Sequence, residues 1–467
     1  MNNQKSDTNK AKLLQAPVGK TLISLAIPMA FGIMAILLFA IVDTLYIGRL
    51  GAEPLAAMGF IFPINFVVMN LTRGLGIGVT STIARAIGEG NQPKVQRLAT
   101  DGLGLAVLIV TFLSIIGLTS LNTIFSLMGA EGEMLALISD YMIPWCLGVG
   151  FLVIPMIGVG ILRATGDTKT PALIMGIAGL INIILDPFLI FGIGPFPRLE
   201  LRGAALATVA SWVVAFTASL WILGKRERLI RLPVFDPKHT FDSWKQILYV
   251  GIPAAGTNVM EPVSMAMIIR IISEYGEEPV AAFGVGGLVG AMLLIGIRAL
   301  SLAMGPFVGQ NFGAGNCDRI RAALRFGSKF SLVWGAVAFV ILYLLSGIIA
   351  PIFNDDKAVI AGIVLFLHII PISYGMYGIS TLVNAMFNAL GKPLQASVVI
   401  ILHLFVFVLP LAYLGSKVYG LKGTFIGIAV GNAVIGVVAY LMIQKFLVRL
   451  EADHESAITE TAESISL

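Results

Sequence analysis

Gly51-Ala-Glu53-Pro54-Leu-Ala56-Ala57-Met-Gly59 returns 225 residues later as Gly276-Glu-Glu278-Pro279-Val-Ala281-Ala282-Phe-Gly284. The copy continues at the same offset. Arg73 and Leu75 meet Arg298 and Leu300, and Gly88, Gly90 and Asn91 meet Gly313, Gly315 and Asn316. Over positions 51–91 there are 11 identities without a gap. Upstream, Ile27-Pro28 meets Ile252-Pro253, and downstream Ala164 and Gly166 meet Ala389 and Gly391. Internal duplication in a very apolar chain is a common construction of membrane transporters, with substrate handled between the repeats.

Composition sets the solvent. The 467 residues are 57% apolar and 12% charged, with mean hydropathy +0.92. A soluble domain carries about 25% charged residues, so this chain reads as an all-α polytopic membrane protein. Its 51 glycines suit close helix packing in lipid. No cleavable signal is evident, and the first span reads as an uncleaved anchor. Two isolated cysteines, Cys146 and Cys317, indicate neither a disulfide framework nor a metal site. The net charge of +5 is explained by basic loops rather than by nucleic acid.

A helix crossing the hydrocarbon needs about 20 apolar residues. Twelve runs qualify: 20–47, 54–84, 98–123, 134–161, 170–193, 203–224, 244–273, 280–309, 322–350, 358–386, 394–415 and 421–447. None alternates as a barrel strand does. With the N-terminus inside, 22 of the 31 Lys and Arg residues fall on the inner side and 7 on the outer, which puts both termini in the cytoplasm. The expected organisation is a tail over 1–19, a six-helix lobe over 20–224, a cytoplasmic linker over 225–243, a second six-helix lobe over 244–450 and an acidic, disordered tail over 451–467. Six is even, so the lobes are parallel repeats rocking about the linker.

Ionisable groups inside spans are costly and mark function by default. Asp43 lies in the first span, Asp186 in Asn182-Ile-Ile-Leu-Asp186-Pro187 of the fifth, and Glu261 before Pro262 in the seventh. Asn182 and Asp186 share a helix face. Carboxyls in one poorly solvated site disfavour each other's charge, which suits a proton carrier; the same oxygens also suit Na⁺. The bland alternatives are a solvated Asp43 near the interface and a Glu261 that serves only a proline kink. His368 and His403 read as interhelical hydrogen-bonders, and Arg73 and Arg298 as structural. Gly166-Asp167-Thr168-Lys169-Thr170-Pro171 lacks the order of a phosphate loop. Phe60, Phe62, Phe66, Tyr374, Tyr377, Met265 and Met267 are candidates to line a cavity for flat cations.

These motifs identify a resemblance. Asp43-x-x-Tyr46-x-Gly48-x-Leu50-Gly51, the duplicated Gly51–Gly59 segment, Arg163-Ala-Thr-Gly166-Asp-Thr-Lys-Thr-Pro171 and Asn182-x-x-x-Asp186-Pro187 resemble the multidrug and toxic compound extrusion (MATE) transporters, in their DinF-like branch. The resemblance covers essentially the whole chain. It implies two six-helix bundles around a V-shaped central cavity, no cofactor, no enzymatic activity and a monomer in the inner membrane. It places Asp43, Asn182, Asp186, Thr208 and Tyr141 on a cation or proton site and Pro28 at a helix bend. Glu261 matches the seventh-helix acid of the NorM-like branch and is a second cavity acid. That branch's tenth-helix acid is missing, because no Asp or Glu occurs between Val359 and Asn388.

The resulting expectation is efflux of lipophilic, often cationic drugs or toxic compounds in exchange for H⁺, with Na⁺ as the other ion. The rival is a related lipid-linked saccharide flippase, disfavoured by the acidic character of the intramembrane charges. The repeat offset sets Asp43 against Ile268, Asn182 against Phe407, Asp186 against Leu411 and Glu261 against Ile36. The duplication therefore specifies the scaffold, and the ion chemistry is expected in one lobe.

Overall fold

The computed structural model describes residues 13–230 and 236–466, with side chains as far as residue 452. Lys5, Lys10, Lys12, Arg231 and Pro233 of the charge reading lie outside the described residues. All regular structure among the described residues is helical. In chain order the helices are α1 (Val18–Gly48), α2 (Ala52–Gly88), α3 (Gln92–Thr119), the short α4 (Leu121–Leu127), α5 (Gly132–Ala164), α6 (Lys169–Phe191) and α7 (Glu200–Trp221). They continue as α8 (Pro237–Ile272), α9 (Glu277–Leu293), α10 (Ile295–Gly313), α11 (Cys317–Phe353), α12 (Lys357–Ile369), α13 (Tyr374–Ala389), α14 (Pro393–Ile401) and α15 (Leu409–Ser466). Both ends of the expected linker are helical, since a π turn covers Ile222–Arg226 and α8 starts at Pro237.

The twelve spans read from the sequence are accounted for. Nine stretches of the described residues are long and apolar enough to cross a bilayer, and the bent pair α9–α10 makes a tenth. One of the nine, Pro393–Ala452, is two spans, because the backbone leaves helical geometry at Tyr419 and Gly420. There the chain doubles back closely: a Cβ on Gly415 would lie 2.1 Å from the Gly423 carbonyl oxygen. The last span is α8, the most polar in its middle, with Thr257, Asn258, Glu261 and Ser264.

Several spans differ from unbroken helices, and each break has a local cause. The eighth bends by 52° between Leu293 and Ile295. The Trp334 indole Nε1–H donates to the Leu293 carbonyl at 2.7 Å, so the backbone group freed by the bend is satisfied. The tenth span tightens to a 3₁₀ turn over Ile370–Ser373, where Pro371 supplies no N–H. The eleventh widens to a π turn over Leu402–Val408. The acidic tail, expected to be disordered, continues α15 to Ser466; its Ala and Glu residues favour helix, and Glu451 pairs with Arg321.

Packing divides the described residues into two units. One takes residues 28–87, 91–230 and 236–255; the other takes residues 13–27, 88–90 and 256–466. Each repeat's opening helix thus changes unit beside its proline, Pro28 in α1 and Pro253 in α8. In the first unit the core gathers about Trp145 and Trp212, whose rings meet edge to face at 6.0 Å. In the second, Phe283, Phe366 and Phe425 form the corresponding cluster.

Helices α5, α6 and α7 approach closely because small residues line their contacts. A Cβ on Gly203 of α7 would lie 2.3 Å from the Leu189 carbonyl oxygen of α6, and one on Gly148 of α5 would lie 2.3 Å from the Val209 side chain. Substituting Gly203→Val therefore forces α6 and α7 apart. We expect a loss of about 1–3 kcal/mol, the usual cost of overpacking, read as a lower unfolding midpoint in detergent, while Gly150→Val, at an open position, leaves the midpoint unchanged.

Candidate functional site

The first unit brings together the polar residues that the sequence singled out. On α6, Asn182 and Asp186 are one turn apart and buried, with Asp186 fully so. The Asn182 amide Nδ2 donates to Asp186 Oδ1 at 3.1 Å and to Thr208 Oγ1 of α7 at 3.4 Å. Tyr141 of α5 is 4% exposed and lies within electrostatic reach of both Asp43 and Asp186. Asp43, half-buried on α1, completes the group. Two carboxylate oxygens, Asp43 Oδ1 and Asp186 Oδ2, are buried without a hydrogen-bond partner among the described residues. An unpartnered buried acceptor is expensive unless something occupies it, and a proton or a small cation would.

One member escaped the sequence reading. Asn65 of α2 contacts Tyr141 and also carries a buried, unpartnered Oδ1. Its signal was an amide inside an apolar run, after Pro63-Ile64. Pro28 lies within α1, far along the helix from Asp43. Among the described residues no group of three or more His, Cys, Asp or Glu side chains could hold a metal ion.

The second unit holds a separate polar cavity of about 180 Å³. Glu261 lines it beside Asn258, Tyr377, Asn384 and His403. Arg298 stands next to Glu261 with an N···O distance of 3.9 Å. The repeated arginine thus has Glu261 as its ion-pair neighbour. His403 also bonds Asn432 at 2.8 Å, and His368 bonds Ser346 at 2.9 Å and stacks on Tyr343. The aromatic and Met candidates separate: Tyr377 lines this cavity and Tyr374 is core, while Phe62, Phe66, Met265 and Met267 are exposed.

The Gly166–Pro171 loop is a structural clasp. Asp167 Oδ1 accepts from Thr170 N at 3.0 Å, and its Oδ2 accepts from Thr170 Oγ1 at 2.6 Å and from the Arg226 guanidinium at 2.6 Å. Arg226 also bonds Thr170 Oγ1 at 2.9 Å, which ties the start of α6 to the π turn after α7. Burial opposes charge on Asp167, but the Thr170 bonds and the Arg226 guanidinium outweigh it and hold the carboxyl below its ordinary range.

The MatE family model matches residues 28–188 and 253–414, the two repeats. A protein of Shewanella oneidensis named FAD transporter is 38% identical over 433 residues, covering 93% of this chain and 96% of the relative. A probable multidrug resistance protein NorM of Thermotoga maritima is 29% identical, covering 88% of this chain and 89% of that protein. The crystal structure of the Vibrio cholerae MATE transporter VcmN in its bent form superposes with a TM-score of 0.88 at 29% identity, covering 95% of this chain and 99% of that one.

The clasp has a pH signature. Asp167 titrates below its unfolded value, so its contribution is complete above about pH 4, the ordinary carboxylate range, and disappears as pH falls through the folded value. In Asp167→Asn the unfolding midpoint at pH 7 should drop by an amount equivalent to about 1–3 kcal/mol. The gap to the parent should close on acidification toward pH 3; a gap that is constant with pH would contradict the ionic role.

Proposed function

The chain belongs to the MatE family, and from that premise we propose that it exports FAD across the bacterial cytoplasmic membrane in exchange for a proton carried by Asp43 and Asp186. It is a multi-pass membrane transporter and not an enzyme. Our reading keeps both termini cytoplasmic and the unit monomeric. Asn182, Thr208 and Tyr141 orient the two carboxyls in it, and Pro28 gives α1 its bend.

The observation that carries the coupling is the pair of buried, unpartnered carboxylate oxygens on Asp43 and Asp186. Asn182 bridges Asp186 and Thr208 and so holds the carboxyl in place. A proton needs only one of the unpartnered lone pairs, whereas a hard cation needs several oxygens at once, and on that ground our reading takes H⁺. The substrate half rests on the FAD transporter relative, whose 38% identity exceeds the 29% of the multidrug relative. A second reading, export of drugs, is favoured by the names of the multidrug relatives, and lipophilic cations are the class our sequence reading expects.

Charge movement separates these readings. Exchange of a monovalent cation for H⁺ moves no net charge. FAD carries two negative phosphates, so its export against H⁺ entry moves positive charge inward and draws on the membrane potential, about 2.3 kcal/mol per charge per 100 mV. In proteoliposomes loaded with FAD, an acid exterior and an inside-negative potential should each accelerate FAD release, and Asp186→Asn should lower the pH-driven rate at least tenfold. Release by Asp186→Asn that responds to the pH gradient as the parent does would sink the coupling role. FAD retained by the parent, with electroneutral release of tetraphenylphosphonium, would select the drug reading.

A further inference from the structure

We propose that the polar cavity of the second unit is the seat for a planar, hydrogen-bonding nitrogen heterocycle of the exported substrate, with Arg298 beside it to receive the phosphates. This rests on the dinucleotide reading above and assigns the place of recognition.

Nine of this cavity's twelve lining residues carry a polar group, more than the few that orient a ligand in a drug-type pocket. Its single acid, Glu261, already has a cationic neighbour in Arg298 at 3.9 Å, so the pair offers an incoming cation little net attraction. What remains is the Asn258 amide, together with the oxygen lone pairs of Ser301, Ser380 and Thr381, whose protons are given to backbone carbonyls; the Asn384 amide is held between the Ala396 carbonyl and Asn388. Amide side chains pair edge-on with heterocycles that carry adjacent acceptor and donor groups.

The walls fit a flat ring. The Tyr377 and His403 rings stand 5.7 Å apart at 48°, forming an aromatic corner, and Val399, Ile400 and Leu404 supply an apolar side. Aromatic side chains stack on nucleobase-like rings of any sequence. His403 sits on the π turn Leu402–Val408, and π turns recur at functional sites. Its Nε2 is fixed by Asn432, whose amide in turn donates to Ser373 Oγ at 3.0 Å. The volume of about 180 Å³ accommodates one ring system but not a dinucleotide. The phosphates therefore stay outside it, where Arg298, 3.9 Å from Glu261 and bonded to Tyr377, has further guanidinium N–H groups to offer them.

The polarity is particular to this repeat. At the 225-residue offset, Asn258, Glu261, Tyr377 and Asn384 face Ile33, Ile36, Leu152 and Val159 in the other repeat, while Arg298 faces Arg73. The scaffold is duplicated, but the lining is not. Polar groups within a membrane span are costly to keep, and the duplicated scaffold does not by itself require them, because the first repeat carries apolar residues at those positions.

The test is equilibrium binding to the purified full chain in lipid nanodiscs, read by quenching of flavin fluorescence, with riboflavin, FAD and adenosine as probes. The parent should bind riboflavin and FAD. Asn258→Leu and Tyr377→Leu should each weaken both about tenfold, roughly 1.4 kcal/mol. Arg298→Gln should weaken FAD at least tenfold while changing riboflavin less than threefold. Adenosine displacing FAD in place of riboflavin would assign the seat to the purine end of the same substrate and supports the proposal equally. If Tyr377→Leu does not fold, Tyr377→Phe together with Asn258→Leu carries the comparison, with unfolding midpoints as the control. Parental affinity for FAD and riboflavin in Asn258→Leu and Arg298→Gln, with FAD transport intact, would overturn this assignment and leave the substrate reading standing. A parent that neither binds nor releases FAD would overturn both.

Discussion

Nothing in a bilayer core can hydrogen-bond a stray backbone group, and every irregularity in this fold is shaped by that constraint. Helices solve it by pairing their own N–H and C=O groups. Where a helix departs from regularity, a local arrangement limits the damage. The bend after Leu293 is tolerated because Trp334 donates to the freed carbonyl. The 3₁₀ turn over Ile370–Ser373 falls where Pro371 has no N–H to lose. The π turn over Leu402–Val408 carries His403, and with it the one ring of the second cavity that Asn432 locks in place. At this π turn a break and a polar lining residue coincide.

The same constraint makes side-chain polarity informative. A buried amide or carboxyl in lipid is retained only where a partner or a ligand compensates it. In the first unit the compensation is visibly incomplete: Asp43 Oδ1, Asp186 Oδ2 and Asn65 Oδ1 are buried and unpartnered among the described residues. Asp167 is the contrasting case. Both of its oxygens are engaged by Thr170 and Arg226, so it holds structure together and has no vacancy for an ion. Sequence proximity to a motif does not separate these two kinds of aspartate; hydrogen-bond occupancy does.

Much of this was legible in the sequence because the strongest signals are long. The duplication at Gly51 and Gly276, the length of the apolar runs and the i, i+4 spacing of Asn182 and Asp186 all survive into the structure. The twelve spans were countable, but the bend after Leu293 was not, since it depends on an indole 41 residues away in sequence. The clasp at Asp167 was hidden for the same reason, because its partner Arg226 is 59 residues distant. The second cavity was missed as a unit. Glu261, Arg298, Tyr377 and His403 were each noticed alone, yet each alone has an ordinary structural explanation, and only tertiary packing of α8, α13 and the π turn shows that Glu261, Tyr377 and His403 line one space, with Arg298 beside it.

The proposed ion site in one unit and the proposed substrate seat in the other require a mechanical link between them. Coupling is a free energy shared by two sites, and it works only if some element has two arrangements that both ligands bias. The opening helices have the right connectivity. Helix α1 starts among residues that pack with the second unit and ends at Asp43 in the first, and α8 starts in the first unit and reaches Glu261 in the second. Each carries its repeat's proline near the changeover, Pro28 and Pro253, where a helix bends at least cost because no backbone N–H is lost. Under the proposed assignment, a proton at Asp43 bears on α1 and a substrate beside Glu261 bears on α8, the two helices that each carry a repeat's proline. The duplication supplies both helices, and the divergence of their acids is what would give each a different ligand to sense.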